Sequence, residues 1–270
     1  MNKTPVAVLI ATTPRLELLQ KHALKSLSMQ RHKPELIVVA SDRRKLTVKE
    51  HEALQQAIPD VKLISVKNKN SPGAAGSWNT GVDVIATHFN DCYLSIIDDD
   101  DEWNESHLSD CLIASDSGKA DIVLSGINIV KNGNILDSNI PEDICANDFL
   151  TGNPGWQGSN TFIRLSFFQA IGGFTDGLIS CNDRDLAIRA LENKNATINY
   201  TRSASVYWQI NHRPDALSAA CSKQKLMGAS QFLSMYEHRM DSLQKEKFFL
   251  RMESLFHPQR DQIKELLQGM

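Results

Sequence analysis

The chain has 270 residues, 41% of them hydrophobic and 23% charged, with 14 Gly and 9 Pro. This is ordinary globular usage, enough for one large domain or two packed subdomains, and it excludes disordered and collagen-like polymers. Lys and Arg number 29 against 32 Asp and Glu, a formal charge of −3, so no global basic field exists to hold a long polyanion.

The opening stretch, MNKTPVAVLIATTPRLELL, has an apolar run broken at Thr12 and Pro14 and no small-residue cleavage site. It reads as a first strand and not as a secretory leader. No segment approaches the roughly 20 apolar residues of a membrane span. Val6 to Ala11 is the strand, Thr13-Pro14 is expected to supply the N-cap and first helical residue, and Leu16, Leu19, Ala23 and Leu27 recur at the helical period. The cycle repeats: strand at Leu36 to Ala40, weaker helix from Leu46 to Ile58, strand at Val61 to Val66, helix from Ser77 to Thr87, strand at Tyr93 to Ile97. Alternating strands and helices with near-continuous apolar strands predict a parallel sheet covered on both faces.

Past Asp101 the rhythm changes. A helix is expected at His107 to Ala114, then a strand at Ile122 to Val130 running into Asn132-Gly133, a strong hairpin signal. Residues 141–160 are rich in Asn, Gly, Pro and Asp and read as a long binding loop. Beyond Pro214, Phe232, Tyr236, Met240 and Leu243 suggest one helical stripe, with a basic excess too small to define a membrane-binding face. The expected organisation is 1–101, 102–212 as a second half of the same domain, and a C-terminal helical segment over 213–270. Five scattered cysteines without a CxxC pair argue against disulfides and zinc and for the cytoplasm.

Three features concentrate the chemistry. Asp98-Asp99-Asp100-Asp101 stands at the carboxyl end of an apolar strand, the edge where open α/β sheets bind ligands. Carboxylates so crowded call for a hard divalent cation, Mg²⁺ or Mn²⁺; the alternative is a solvated turn capping the next helix. Asn70 to Gly81 is a small-residue turn leading into a helix, either an anion site at the helix amino end or a tight connection only. Asp183 lies where a helix begins, either as its cap or as a general base facing the 141–160 loop.

In this order the segments VAVLIATTPR, VVASD, GAAGSWNTGV, SIIDDDDEW, GWQGSNTFIR, GGF and NDRDLAIRAL resemble the successive blocks of glycosyltransferase family 2, the inverting nucleotide-sugar transferases of GT-A fold, from about Val6 to about His212. The resemblance implies a Rossmann-like, mostly parallel central sheet flanked by helices, with a mixed acceptor half and C-terminal helices. It also implies that Thr12, Thr13 and Arg15 line the nucleotide pocket, that Asp42 meets the base or ribose, and that Gly76 and Asn79 border the donor. Asp98 and Asp100 match the ends of the DxD motif, Asp98 near the ribose or sugar and Asp100 on the metal, with Asp99 beside them in the donor site and Asp101 behind or at the surface. Gly158 and Ser159 fall in the loop between donor sugar and acceptor, Asp183 matches the catalytic base, and His212 resembles the C-terminal metal-binding histidine.

The implied reaction is a single, metal-dependent (Mn²⁺ or Mg²⁺) transfer from a nucleotide-diphosphate sugar, UDP being the commonest carrier, to a hydroxyl on a glycan, a lipid-linked sugar or another acceptor in cell-surface biosynthesis. Two departures stand out. Asn182 replaces the glutamate usual before the base, and Trp208 to Arg213 has the wrong order for the QxxRW signature of processive synthases. A non-catalytic nucleotide-sugar or glycan-binding module and a nucleotidyltransferase stay open as rivals, although ATTPRLEL lacks the phosphate loop of the latter. The C-terminal helices have core packing, a second subunit or the inner face of the membrane as alternative destinations.

Overall fold

A computed structural model describes residues 4–210, 222–257 and 260–268. The first half runs β1 (Val6–Thr12), α1 (Leu16–Leu19), a π-helical turn (Gln20–Leu24), α2 (Lys25–Ser28), β2 (Leu36–Ser41), α3 (Val48–Ala57), β3 (Leu63–Lys67), α4 (Ala74–Ala86) and β4 (Tyr93–Asp98). The strands order as β3-β2-β1-β4 and are all parallel. All six residues of β2 and six of the seven of β1 are buried, as expected of strands covered on both faces. On α4, a Cβ at Gly81 would stand 2.2 Å from Leu9 Cδ1, so this glycine lets the helix lie directly on β1.

Two sequence expectations fail in this half. The helix after β1 does not start at Thr13-Pro14: its N-cap is Arg15, with no side-chain cap, because Thr12 and Arg15 are committed elsewhere. The helix is also interrupted by the π turn, although Leu19, Ala23 and Leu27 are all fully buried as the period predicts.

The second half comprises β5 (Glu102–Trp103), α5 (His107–Ala114), β6 (Ile122–Lys131), β7 (Asn134–Asn139), α6 (Asp148–Thr151), a 3₁₀ turn (Gly158–Asn160), β8 (Thr161–Arg164), α7 (Leu165–Ala170), α8 (Asn182–Glu192), β9 (Ile198–Gln209), α9 (Lys223–Tyr236), a second 3₁₀ turn (Glu237–Arg239), α10 (Ser242–Phe256) and α11 (Arg260–Gln268). The sheet continues past β4 as β8-β6-β9-β5, with β7 beside β6. β8 is antiparallel to both neighbours, while β6 and β9 are parallel. The β6–β7 hairpin turns at Asn132 and Gly133, both at positive φ (50° and 80°), the conformation that an Asn-Gly pair accepts.

One core lies under α1–α3 and α5, the other under α4, α7 and α8 and the C-terminal helices. Phe232, Phe248, Met252 and Ile263 are buried there, so α9–α11 complete the core. The expected single stripe breaks after Met240: the chain leaves the helical path, Asp241 caps α10 through the Gln244 N–H at 2.7 Å, and Leu243 is 63% exposed. No helix among the described residues is long and apolar enough to cross a membrane.

Candidate active site

The carboxyl ends of β1, β2 and β4 meet at one edge of the parallel half, and each contributes a polar group there. The four aspartates divide into two kinds. Asp99 is fully buried and turned to β1: Thr12 Oγ1 donates to its Oδ2 at 2.5 Å, Arg15 Nε donates at 3.1 Å, and Arg15 also forms an ion pair with it. Asp101 is 2% exposed and turned to the opposite side, where its Oδ2 accepts the Ser159 hydroxyl at 2.5 Å and its Oδ1 accepts the Gln209 N–H at 3.0 Å. Of the two places expected for Asp101, this burial selects the one behind the turn over the surface. Burial and the neighbouring Asp100 charge push its carboxyl up to about 7.

Ser159 is a pivot. Its hydroxyl also accepts the Asp98 N–H at 3.0 Å, and its carbonyl accepts Trp103 Nε1 at 2.7 Å. Gly158 beside it leaves open a position 3.4 Å from the Trp78 ring and 3.7 Å from Asp98 Oδ1. The Asp98 carboxyl has no hydrogen-bond donor among the described residues. Burial, reinforced by Asp101, Asp100 and Asp99, raises it well above the usual carboxylate range.

A half-buried carboxyl crowded by the charges of three others and lacking a donor among the described residues is suited to a bound cation, and its hard oxygens suit Mg²⁺ or Mn²⁺. Among the described residues no three His, Cys, Asp or Glu side chains converge on one point. Mg²⁺ is commonly held by one or two carboxylates together with substrate phosphates, so Asp98 and Asp100 fit such an ion without a closed protein cage. His212 lies outside the described residues.

The remaining expected donor-site residues are placed as follows. Asp42 stands at the amino end of α4, where its Oδ1 accepts the Gly73 N–H at 2.9 Å and Asn68 Nδ2 at 2.8 Å. The anion at that helix terminus is thus a residue of the chain itself. Thr13 is half-buried next to Thr12. Gly76 packs against the Ser71 carbonyl. Asn79 bonds Phe174 in both directions, accepting its N–H at 3.0 Å and donating to its carbonyl at 2.8 Å. Both contacts are with the scaffold, joining α4 to the loops at Ser71 and Phe174.

Asp183 occupies the second position of α8. The N-cap is Cys181, in the left-handed region at φ 66°, so Asp183 is not the cap. Its Oδ1 accepts the Arg184 N–H at 3.0 Å, and its Oδ2 accepts Asn153 Nδ2 at 2.8 Å. Asn153 is locked in turn: its Oδ1 takes the Gly155 and Trp156 N–H groups at 3.0 and 2.9 Å, and its Nδ2 also donates to the Trp156 carbonyl. The 141–160 loop therefore reaches the carboxylate through one oriented amide. Burial raises Asp183 above the ordinary carboxylate value, partly opposed by Lys225 and Arg184. Asn182 is buried with its Oδ1 unpartnered.

α9 fixes this turn from outside. A Cβ at Gly228 would stand 2.6 Å from Ser180 N, and Tyr236 donates to Asp185 Oδ1 at 2.7 Å. Sequence reasoning missed Asn153, Trp78 and the anchoring use of Asp99 and Asp101. The run of aspartates marks the place, but nothing in it distinguishes a carboxylate turned inward from one left open.

A model of glycosyl transferase family 2 matches residues 8–171. Among solved structures, S. aureus TarS residues 1–349 in complex with UDP-GlcNAc is similar at 16% identity and a TM-score of 0.61, covering 97% of this chain and 84% of that one. The same fragment with UDP gives 16% identity and a TM-score of 0.62, covering 93% and 72%. The longer S. aureus TarS structure gives 17% and 0.58, covering 95% and 44%. No curated protein matches the sequence. The family match spans more than half of the chain and includes the β1 end and the aspartate turn, and the sheet order agrees with the GT-A expectation; the chain belongs to glycosyl transferase family 2 and is a glycosyltransferase.

Proposed function

We propose that the protein transfers one sugar from a UDP-linked donor to an acceptor hydroxyl with inversion, aided by Mn²⁺ or Mg²⁺ and in the service of cell-surface glycan assembly. The observation that carries the reading is the aspartate turn. Asp99 and Asp101 are spent on fixing β1 and the 158–160 loop, while Asp98, half-buried and without a described donor, stands next to Asp100. The UDP and UDP-GlcNAc complexes of TarS, similar in fold, support a uridine nucleotide as carrier.

In this reading Asp98 and Asp100 hold the cation, which when bound supplies positive charge to the diphosphate leaving group. Thr12, Thr13 and Asp42, at the ends of β1 and β2, border the nucleotide, and Gly158 leaves room for the sugar above Trp78. Asp183 removes the acceptor proton as that oxygen attacks the anomeric carbon. The bond to the diphosphate breaks on the opposite face, and its electron pair leaves with the nucleotide. Asn153 orients the carboxylate, and burial brings its basicity closer to working pH.

A thermal-shift panel of UDP-, GDP-, dTDP- and CMP-sugars, each with and without Mn²⁺, tests the donor site. A ligand at 100 times its dissociation constant stabilises by about 2.7 kcal/mol. The expected result is a Mn²⁺-dependent shift with UDP-sugars; a panel without any shift overturns the donor assignment.

A further inference from the structure

Among the described residues, two arginine side chains approach Asp183 without a hydrogen bond to any carboxylate. Arg184 is 6% exposed, and its partners are neutral: Nε donates to the Phe149 carbonyl and Nη2 to the Leu150 carbonyl, each at 2.8 Å, and the guanidinium lies 4.1 Å from the Phe232 ring centroid. Arg251 reaches the same place from α10. Its Cζ, Nη1 and Nε stand 3.8, 3.8 and 3.9 Å from the position that a Cβ on Gly152 would occupy. Three atoms of the planar group at equal range place its face flat on the loop, one residue before the asparagine that holds Asp183.

Among the described residues none forms a hydrogen bond or ion pair with Arg251. The acids at this end are engaged: Asp185 with Arg189 and Tyr236, Glu246 and Glu253 with Arg260, and Asp148 with the Cys145 N–H. Burial and the Arg184 charge disfavour the Arg251 cation, and Asp183 supports it. An exposed guanidinium held flat by its face keeps its N–H edges for a ligand, and that fork fits the oxygens of phosphate or carboxylate.

We propose that Arg251, stacked on Gly152 beside Asp183, forms an oxyanion subsite for the acceptor, so that the hydroxyl receiving the sugar belongs to a molecule bearing a phosphate or carboxylate. This rests on Asp183 being the base of the transfer proposed above. A neutral polyol or sugar would leave the Arg184–Arg251 pair uncompensated, whereas an anionic acceptor relieves it as it brings its hydroxyl to Asp183.

The test is equilibrium binding to the full chain, first loaded with UDP and Mn²⁺ so that the donor phosphate positions are filled. Glycerol 3-phosphate and glucuronate are then titrated, with glycerol and methyl glucoside as neutral counterparts. Saturable binding of at least one anion is expected, weakened tenfold or more in Arg251→Gln and partly recovered in Arg251→Lys. The two anions tell a phosphate acceptor from a carboxylate one. Equal anion affinity in wild type and Arg251→Gln, or no saturable anion binding to wild type, overturns the subsite. Unchanged anion affinity with an upward shift of the Asp183 ionisation assigns Arg251 to tuning the base instead. The loading step reports separately: failure of UDP to bind overturns the donor reading and leaves the anion titrations to decide this one.

Discussion

The Asp101 carboxyl accepts the Ser159 hydroxyl at 2.5 Å, and through that bond the 158–160 turn is tied to the segment that follows β4. Since Asp101 also takes the Gln209 N–H, one side chain sets the spacing of three segments at the site edge. Asp101→Ala orphans a buried hydroxyl and a backbone N–H, each at about 1–3 kcal/mol. Urea unfolding should show a loss of about 3 kcal/mol. Asp101→Asn, which keeps one acceptor oxygen for two donors, should recover about half of it; an alanine variant as stable as wild type would refute the anchoring role.

Neighbouring aspartates are predicted to fail in different ways. Asp99 is fully buried against Thr12 and Arg15, so Asp99→Ala removes the acceptor of the Thr12 hydroxyl and a carboxylate partner of Arg15. Because Arg15 retains some exposure, the loss should fall at or below the low end of the range for a broken buried pair, about 2–3 kcal/mol. Asp100→Ala should remove the Mn²⁺ dependence of UDP-sugar binding. Isothermal titration of both variants beside their denaturation curves checks the pair. A donor affinity insensitive to Asp100→Ala and to EDTA would remove Asp100 from the metal site.

What could be read from the sequence follows from what has a period or a run. The strands of the parallel half fall within two residues of their places, because buried strands are nearly continuous in Val, Ile and Leu. The place of the aspartate turn is equally visible, since the strand before it ends in Ile96-Ile97 and a parallel strand's carboxyl end is the binding edge. The division of labour inside the turn is not visible: that Asp99 and Asp101 turn inward depends on Arg15 and Ser159, 84 and 58 residues away from them. Thr13-Pro14 has the form of a helix start, yet Arg15 is the cap because Thr12 and Arg15 are drawn to Asp99. Leu243 continues the helical spacing of Phe232 and Tyr236, but the break at Asp241 turns it to solvent. Asn153 carries no local signal at all, since its role exists only once the loop is folded against α8.

Asp183→Asn should preserve UDP-sugar binding and lower transfer about 100- to 10,000-fold, the usual contribution of a general base. Full activity would place the base elsewhere, and a wild type that binds donor without turnover would favour the non-catalytic reading to which Asn182 lends some weight. Since burial raises Asp183 above the ordinary carboxylate value, the acid limb of wild-type kcat/KM should rise through one ionisation higher than an exposed aspartate shows. Asn153→Ala, which removes the amide from Oδ2, should lower kcat more than donor affinity, because it frees the carboxylate without touching the nucleotide edge.

His107 makes a prediction about stability in place of turnover. It is fully buried, with Nδ1 2.7 Å from Ser205 Oγ and its ring stacked on Trp103 at 4.1 Å, and burial lowers its value to about 3. A histidine that stays neutral in the fold while the unfolded chain titrates near 6.5 gives the unfolded state the extra proton. Its contribution is therefore intact above pH 6.5 and is lost as pH falls towards 3, at about 1.4 kcal/mol per pH unit. The raised carboxyls at Asp98, Asp101 and Asp183 act with the opposite sign, so the slope is read as a difference between wild type and His107→Gln, where those groups cancel. Between pH 7.5 and 5.0 the wild type should lose about 2 kcal/mol more than the variant in urea unfolding. Parallel stability curves would mean that His107 takes up its proton in the folded protein and that the Trp103–Ser205 enclosure opens to admit it.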